Sequence, residues 1–202
     1  MHTPGSMRIT RLRRIRRLFG GDRGSSLLEA IIATGLMAGA LASLGQMFAI
    51  SVASNRSARA ASYATVLAQQ KMEQLRGLTW GVDSLGRPVS DASSDTTSPV
   101  EAPTGGTGLS LSPGGTLTAN SAGWVDYLDE SGNVLGGGTV LPGKAVYIRR
   151  WAIEPLPSNP ADTIAIRVFV TTRFAVSRRT DASPRRLSDE VYLVSVRTRR
   201  GP

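Results

Sequence analysis

The sequence predicts an α+β fold in which a long, hydrophobic N-terminal α-helix packs on a small antiparallel β-sheet. Residues 30–54 form an uncharged run of 25 residues, and a helical apolar pattern continues from this run to residue 78. After residue 123, short apolar stretches alternate with turn-forming residues, which is typical of antiparallel strands. The length of 202 residues suits one ordinary domain with an extension and leaves little room for two cores.

Composition excludes several kinds of site. The chain has no cysteine, which excludes disulfide bonds, thiolate metal ligands and cysteine nucleophiles. The one histidine is His2, so a chain that has lost its N-terminal end has no imidazole for a catalytic triad or a metal site. We therefore expect no catalytic residue, no metal site and no cofactor, although catalysis by carboxylates stays open.

The first 24 residues are strongly basic. They contain seven arginines and Asp22, which gives a net charge of +6 out of +9 for the whole chain, and Met7 is an alternative start. Such a run before a hydrophobic segment serves either nucleic-acid binding or membrane orientation. As a helix the uncharged run is about 38 Å long, enough to cross a hydrocarbon layer of about 30 Å. Because arginines keep the preceding end in the cytoplasm, we expect a single membrane span with the C-terminal part outside.

Glu29 is the one charged residue between Leu27 and Asn55. An acidic group in the middle of a bilayer costs roughly 2.5–3.5 kcal/mol, and less near an interface, which makes such a residue a functional candidate. The alternative is that Glu29 is an interfacial residue that extends towards the lipid head groups.

The segment Gly24-Ser25-Ser26-Leu27-Leu28-Glu29, between a basic leader and an apolar run, resembles the processing motif of type IV prepilins. The resemblance implies that a membrane prepilin peptidase cuts after Gly24 and methylates the new amine of Ser25. Glu29 then matches the glutamate at the fifth position of the mature chain. The family more often has phenylalanine or methionine where Ser25 stands.

The resemblance implies a pilin-like fold and a structural role without catalysis. Residues 132–138 and Tyr147-Ile148-Arg149-Arg150-Trp151 are also similar to V-like minor pilins. The expected function is that of a minor type IV pilin in pilus assembly or initiation, located in the inner membrane with its C-terminal domain in the periplasm and then in the pilus. The implied partners are prepilin peptidase, other pilins or pseudopilins, the inner-membrane assembly platform and the lipid bilayer. A minor pseudopilin of type II secretion and an anchored periplasmic binding or enzyme domain stay open as alternatives.

Two features of the apolar run suit helix packing in a filament. A carboxylate at Glu29 can neutralise the amine of Ser25 on a neighbouring subunit in a low-dielectric bundle, and pairing within one helix is the competing arrangement. Gly35 and Gly39 are four residues apart, which lets membrane helices approach closely, although glycine is also common in such helices.

A cleavable secretion signal is the rival interpretation of the same segment. Residues 27–39 would be its hydrophobic region, and Ala40-Leu41-Ala42 would be its cleavage site. Glu29 interrupts that region and the uncharged run continues to residue 54, so we favour the membrane span.

Residues 55–78 predict an amphipathic continuation of the helix, with Gly77 as its end. One stripe at helical spacing is apolar: Ala60, Ala64, Leu67, Ala68, Met72 and Leu75. The polar residues Arg56, Arg59, Gln70, Lys71 and Glu73 are expected mainly off this stripe. The stripe should pack on the sheet.

Residues 81–122 are rich in glycine, serine, threonine and proline and predict a connecting loop. Strands are predicted at residues 124–128, 134–135, 144–154, 163–174 and 188–198, with a charged connection at 177–186. In the fourth strand, alternation places Ile164, Ile166, Val168 and Val170 on one face.

Three weaker patterns predict no chemistry. Residues 138–145 nearly match a phosphate-binding loop, but Ala145 lacks the required hydroxyl and the following residues predict a strand. Asp126, Asp129 and Glu130 lack the order of a calcium loop, and a solvated hairpin explains them. The arginines of the C-terminal third are diluted by acids and lack interleaved aromatic residues, so nucleic-acid binding is not expected.

Overall fold

The structure is a computed structural model that describes residues 25–96, 107–178 and 189–199. In chain order, the elements are α1 (Ser25–Gly77), β1 (Trp80–Val82), β2 (Pro88–Ser90), β3 (Val125–Leu128), β4 (Val134–Gly137), β5 (Tyr147–Pro155), β6 (Thr163–Thr172), α2 (Arg173–Arg178) and β7 (Val191–Thr198). These elements confirm an α+β chain with a long N-terminal apolar helix and an antiparallel sheet. The chain divides into two compact units, residues 1–51 and 52–202.

The main sheet belongs to the second unit and has five antiparallel strands in the order β4-β3-β5-β6-β7. Strands β5 and β6 form its centre and pair along their whole length, from Tyr147 opposite Thr172 to Pro155 opposite Ile164. Strand β3 pairs with both β4 and β5, and its register with β4 shifts between Tyr127 and Leu128. Because side chains alternate along each strand, one face of this sheet is continuous and apolar.

The apolar face of the sheet packs against the C-terminal half of α1. Except for the half-buried Ala60, the predicted stripe of the helix joins one buried cluster with the sheet: Ala64, Leu67, Ala68, Met72 and Leu75 pack with Trp151, Ile153, Ile164, Ile166, Val168 and Val170. Trp124 stacks at a tilt on Trp151, with ring centroids 6.3 Å apart. The stripe is buried because apolar residues at helical spacing form one face of α1, and apolar residues at every second position form one face of the strands.

Lys71 corrects one expectation from the sequence, because it lies on the buried stripe and only 1% of it is exposed. The period of the helix explains its position, since Lys71 follows Leu67 by four residues and precedes Leu75 by four. Asp126 corrects a second expectation: it is fully buried in β3, not solvated in a hairpin. The two residues pair with each other, and this pairing allows both to be buried.

The stretch predicted as a connecting loop contains β2 and all of β1 except Trp80, and these two strands form a two-stranded sheet. Contacts with distant residues hold this hairpin in place. The indole of Trp80 donates to the carbonyl of Asp162 at 3.0 Å, and the guanidinium of Arg199 lies 3.6 Å from the centre of the Trp80 ring. Arg199 also donates to the carbonyls of Gly81 and Val89.

The fourth predicted strand ends two residues early, because the short helix α2 begins at Arg173. The hydroxyl of Thr172 accepts a hydrogen bond from the backbone N–H of Ala175 at 3.1 Å, as the N-cap of a helix does. The same hydroxyl donates to the carboxylate of Asp189 at 2.5 Å. Thr172 therefore ends β6 and starts α2.

Candidate membrane-anchoring helix

The N-terminal half of α1 is exposed along its whole length: every residue from 26 to 56 lies at the surface. Its large apolar side chains include Leu36, Met47 and Phe48, each 70% exposed or more. A contiguous apolar surface of this kind marks a contact with a membrane or another protein. This helix, near the N-terminus of the chain, is long and apolar enough to cross a membrane.

Hydroxyl groups within this apolar half bond to the helix itself. Thr34 Oγ1 donates to the carbonyls of Ala30 at 2.7 Å and Ile31 at 3.0 Å, and Ser43 Oγ donates to the carbonyl of Gly39 at 2.9 Å. A polar group in hydrocarbon is costly unless it is hydrogen-bonded. These two side chains therefore suit an apolar environment although each carries a hydroxyl.

Two of the residues predicted to act in processing and assembly lie at the start of α1. Ser25 is its first residue, and Glu29 is exposed one turn further along. At 1.5 Å per residue the two positions are about 6 Å apart along the axis, which permits a pair within one helix or between neighbouring chains. Gly24 lies outside the described residues.

Gly35 and Gly39 lie on the exposed half of α1 with open space beside them. A Cβ atom added at either glycine would meet no atom of the described chain within 4 Å. Within the described residues, the close approach that these small residues allow is therefore unused, and the space is open to another helix.

A buried group of charges fixes the C-terminal half of α1 on the sheet. Asp126 Oδ2 accepts hydrogen bonds from Lys71 Nζ at 2.8 Å and from Arg149 Nη2 and Nε at 2.7 and 3.1 Å. Arg149 Nη1 also donates to the helix, to the carbonyl of Leu67 at 3.2 Å and to Gln70 Oε1 at 3.3 Å. The carboxylate and the guanidinium come from adjacent strands and the ammonium from the helix, so the group ties the two layers together.

Burial disfavours the charged form of Lys71 within this group. Burial lowers the pKa of Lys71 from 10.5 to about 8, because desolvation of the ammonium outweighs its attraction to Asp126, and Arg149 lowers the pKa further. Lys71 Nζ lies 3.9 Å from the centre of the Trp151 ring and also donates to the carbonyl of Thr96. These directional contacts permit one rotation of α1 about its axis and disfavour the others.

The buried charges were missed at the sequence level because their pairing is not local. Lys71 and Asp126 are on different elements, and the sequence signal was the position of Lys71 four residues from Leu67 and from Leu75. Within the described residues, Asp126 Oδ1 and Trp151 Nε1 have no hydrogen-bond partner. The group is therefore a structural clamp with one carboxylate for two cations.

The two motif-like segments of the sheet have ordinary structural roles. Residues 138–145 connect β4 to β5, so a strand and not a helix follows the near-match to a phosphate-binding loop. In the β3–β4 turn, Asp129 accepts hydrogen bonds from the side-chain amide of Asn133 and from the backbone N–H groups of Asn133 and Ser131, and these bonds lower the pKa of its carboxyl. This carboxylate stabilises a tight turn.

No family model, no curated protein and no solved structure matches this chain.

Proposed function

We propose that this chain is the precursor of a minor type IV pilin, a structural filament subunit without catalysis of its own. The observation that carries the proposal is the segment Gly24 to Glu29, which joins a leader of net charge +6 to an exposed apolar helix. The fold supports it, because the second half of the same helix packs on an antiparallel sheet. A pilin-like subunit needs both halves, one to enter lipid or a helix bundle and one to hold a globular domain.

Processing by prepilin peptidase changes the charge of the helix end. Removal of residues 1–24 takes away the arginines that hold that end in the cytoplasm and leaves a new amine at Ser25. In a bundle of subunits, that amine pairs with the Glu29 carboxylate of a neighbour through a charge-assisted hydrogen bond. The exposed apolar half of α1 leaves the bilayer and becomes covered by equivalent helices, with Gly35 and Gly39 at a close helix contact.

The buried clamp suits this task. Assembly acts on the apolar half of α1, while the sheet is held by the other half through Lys71, Asp126 and Arg149. The clamp keeps the sheet packed on this half of the helix, so the sheet domain stays attached while the apolar half is assembled.

Substitution of Glu29 by glutamine tests the proposal in cells that carry the assembly machinery and lack the native copy. A hydrogen bond to a charged group is worth about 1.5–3 kcal/mol, so we expect about a tenfold to hundredfold loss of the subunit from sheared filaments. Gln46→Leu, which changes a polar residue of the same helix, is the matched control and should assemble normally. Normal assembly of Glu29→Gln would refute the proposal, and recovery in a secretion pseudopilus would assign the alternative machine.

A further inference from the structure

We infer that a groove at the outer end of the proposed membrane span binds the head groups of anionic phospholipids. This inference rests on the membrane-spanning part of the proposed function and not on filament assembly. The groove, termed here the exit groove, has a volume of about 1200 Å³ and lies between α1 and the region around α2. Its lining residues include Ala53, Arg56, Arg59, Tyr63, Phe174 and Asp189.

The exit groove begins where the uncharged run ends. Ala53 belongs to the last turn of that run, and Arg56 follows the run by two residues. A run of about 38 Å centred in a hydrocarbon layer of about 30 Å extends about 4 Å beyond it at each end. The Cα atom of Arg56 then lies about 7 Å outside the hydrocarbon, at the level of the head groups, and that of Arg59 lies about 4.5 Å further.

The side chains on the α1 wall have the chemistry of a head-group site. Arg56 and Arg59 are exposed, and neither forms a salt bridge with another residue of the part of the chain that the structure describes. Guanidinium groups bind phosphate through paired hydrogen bonds, and long arginine side chains reach towards the interface from nearby positions. Two arginines, one turn apart, can therefore hold lipid phosphates.

The α2 wall supplies the apolar part of an interfacial site. Phe174 lines the groove and is 72% exposed, although it belongs to a helix that is docked on the domain. The side chain of Arg173 is directed elsewhere, since its Nη1 donates to the carbonyls of Pro142 and Gly143. An exposed aromatic ring beside cationic side chains is typical of a surface that rests on lipid.

The acidic residues of the lining do not oppose this assignment. Asp189 is buried, and its Oδ2 accepts a hydrogen bond from the Thr172 hydroxyl that caps α2, so this carboxylate is held at the start of α2 and not on the α1 wall. Glu130 belongs to the β3–β4 turn, on the sheet side of the groove and not on the α1 wall. The occupant to which the inference commits is an anionic phospholipid, because the cations follow directly on a segment that is itself apolar enough for a bilayer.

The absence of cysteine allows a site-specific test on the full chain. We would label Phe174→Cys with a fluorophore and reconstitute it in nanodiscs of pure phosphatidylcholine or of a mixture with phosphatidylglycerol. The expected result is about threefold or stronger quenching by head-group-labelled lipid when phosphatidylglycerol is present. Leu85→Cys is the matched control, since this residue is 73% exposed in the β1–β2 hairpin, beyond the other end of α1. Its quenching should not depend on the lipid.

Double substitution of Arg56 and Arg59 by glutamine should abolish the dependence on phosphatidylglycerol, whereas Arg87→Gln should leave it unchanged. Quenching that is the same in both lipids, or unaffected by loss of the two arginines, overturns the inference. A change that appears only with two chains per nanodisc assigns the groove to a second copy and also overturns it. A chain that fails to insert overturns the membrane span as well, while a filament defect with normal quenching counts against the proposed function alone.

Discussion

Replacement of Asp126 by asparagine removes the carboxylate that both Lys71 and Arg149 contact. The substitution keeps the size of the side chain and leaves two buried cations, 1% and 5% exposed, without their anion. Removal of one partner from a buried ion pair typically costs about 3–5 kcal/mol of stability, because the remaining charge stays desolvated. We expect the free energy of unfolding to fall by about that amount.

Replacement of Lys71 by methionine should not lower the free energy of unfolding. The pKa of Lys71 is lowered from 10.5 to about 8, and one pKa unit corresponds to about 1.4 kcal/mol, so the charged form is disfavoured by about 3 kcal/mol in the folded protein. Methionine removes this cost, keeps an unbranched side chain against Trp151, and leaves Asp126 paired with Arg149. We expect a stability equal to that of the wild type or higher.

Urea unfolding of the full chain in detergent measures both effects. The fluorescence of Trp124 and Trp151 reports on the packed unit, because both rings are buried between helix and sheet. The reasoning requires opposite outcomes for the two variants under the same conditions. It is refuted if Asp126→Asn unfolds within about 0.5 kcal/mol of the wild type, or if Lys71→Met is as unstable as Asp126→Asn.

Three further predictions follow from single residues. Because the pKa of Lys71 is lower in the folded than in the unfolded chain, stability should rise by about 2 kcal/mol from pH 7.5 to 9.5, and this rise should vanish in Lys71→Met when urea midpoints are compared. Gly132→Ala should lower the free energy of unfolding by about 1–3 kcal/mol, because φ is +80° and the new Cβ would lie 2.7 Å from the Tyr63 hydroxyl. Gly86→Ala is the control in the same unfolding assay, and it should cost less because this glycine has a positive φ but open space around it. Gly39→Leu should leave the unfolding midpoint unchanged and reduce recovery in sheared filaments, and normal recovery would exclude a close helix contact there.

Local periodicity was sufficient to predict the main elements. The apolar stripe of α1 and the apolar face of the longest strands each pack against one partner. The spacing of apolar residues in the sequence is therefore enough to predict which faces are buried. The β1–β2 hairpin and the start of α2 were missed for a shared reason. Both depend on contacts with residues that are distant in the sequence. Arg199 donates a hydrogen bond to the hairpin, and Asp189, which follows α2, accepts a hydrogen bond from the Thr172 hydroxyl that caps this helix.

The candidate sites also differ in whether they depend on local sequence or on contacts between distant residues. Gly24, Ser25 and Glu29 are recognised from one short segment, so the sequence alone is enough to propose them. The clamp could not be predicted in that way. Charged residues are expected to be solvated unless a partner is identified, and Lys71 contacts Asp126 only because the helix packs on the sheet. The exit groove likewise combines α1 with residues more than a hundred positions away.

The most direct test of the proposed function is the intact mass of the protein recovered from membranes of cells with an active prepilin peptidase. The proposal predicts a chain that starts at Ser25, with the mass of a methyl group added at its N-terminus, and a precursor that accumulates when the peptidase gene is deleted. A chain that keeps its arginine-rich leader in the presence of the peptidase, or that starts at Ser43 after a secretion-type cut, would contradict it.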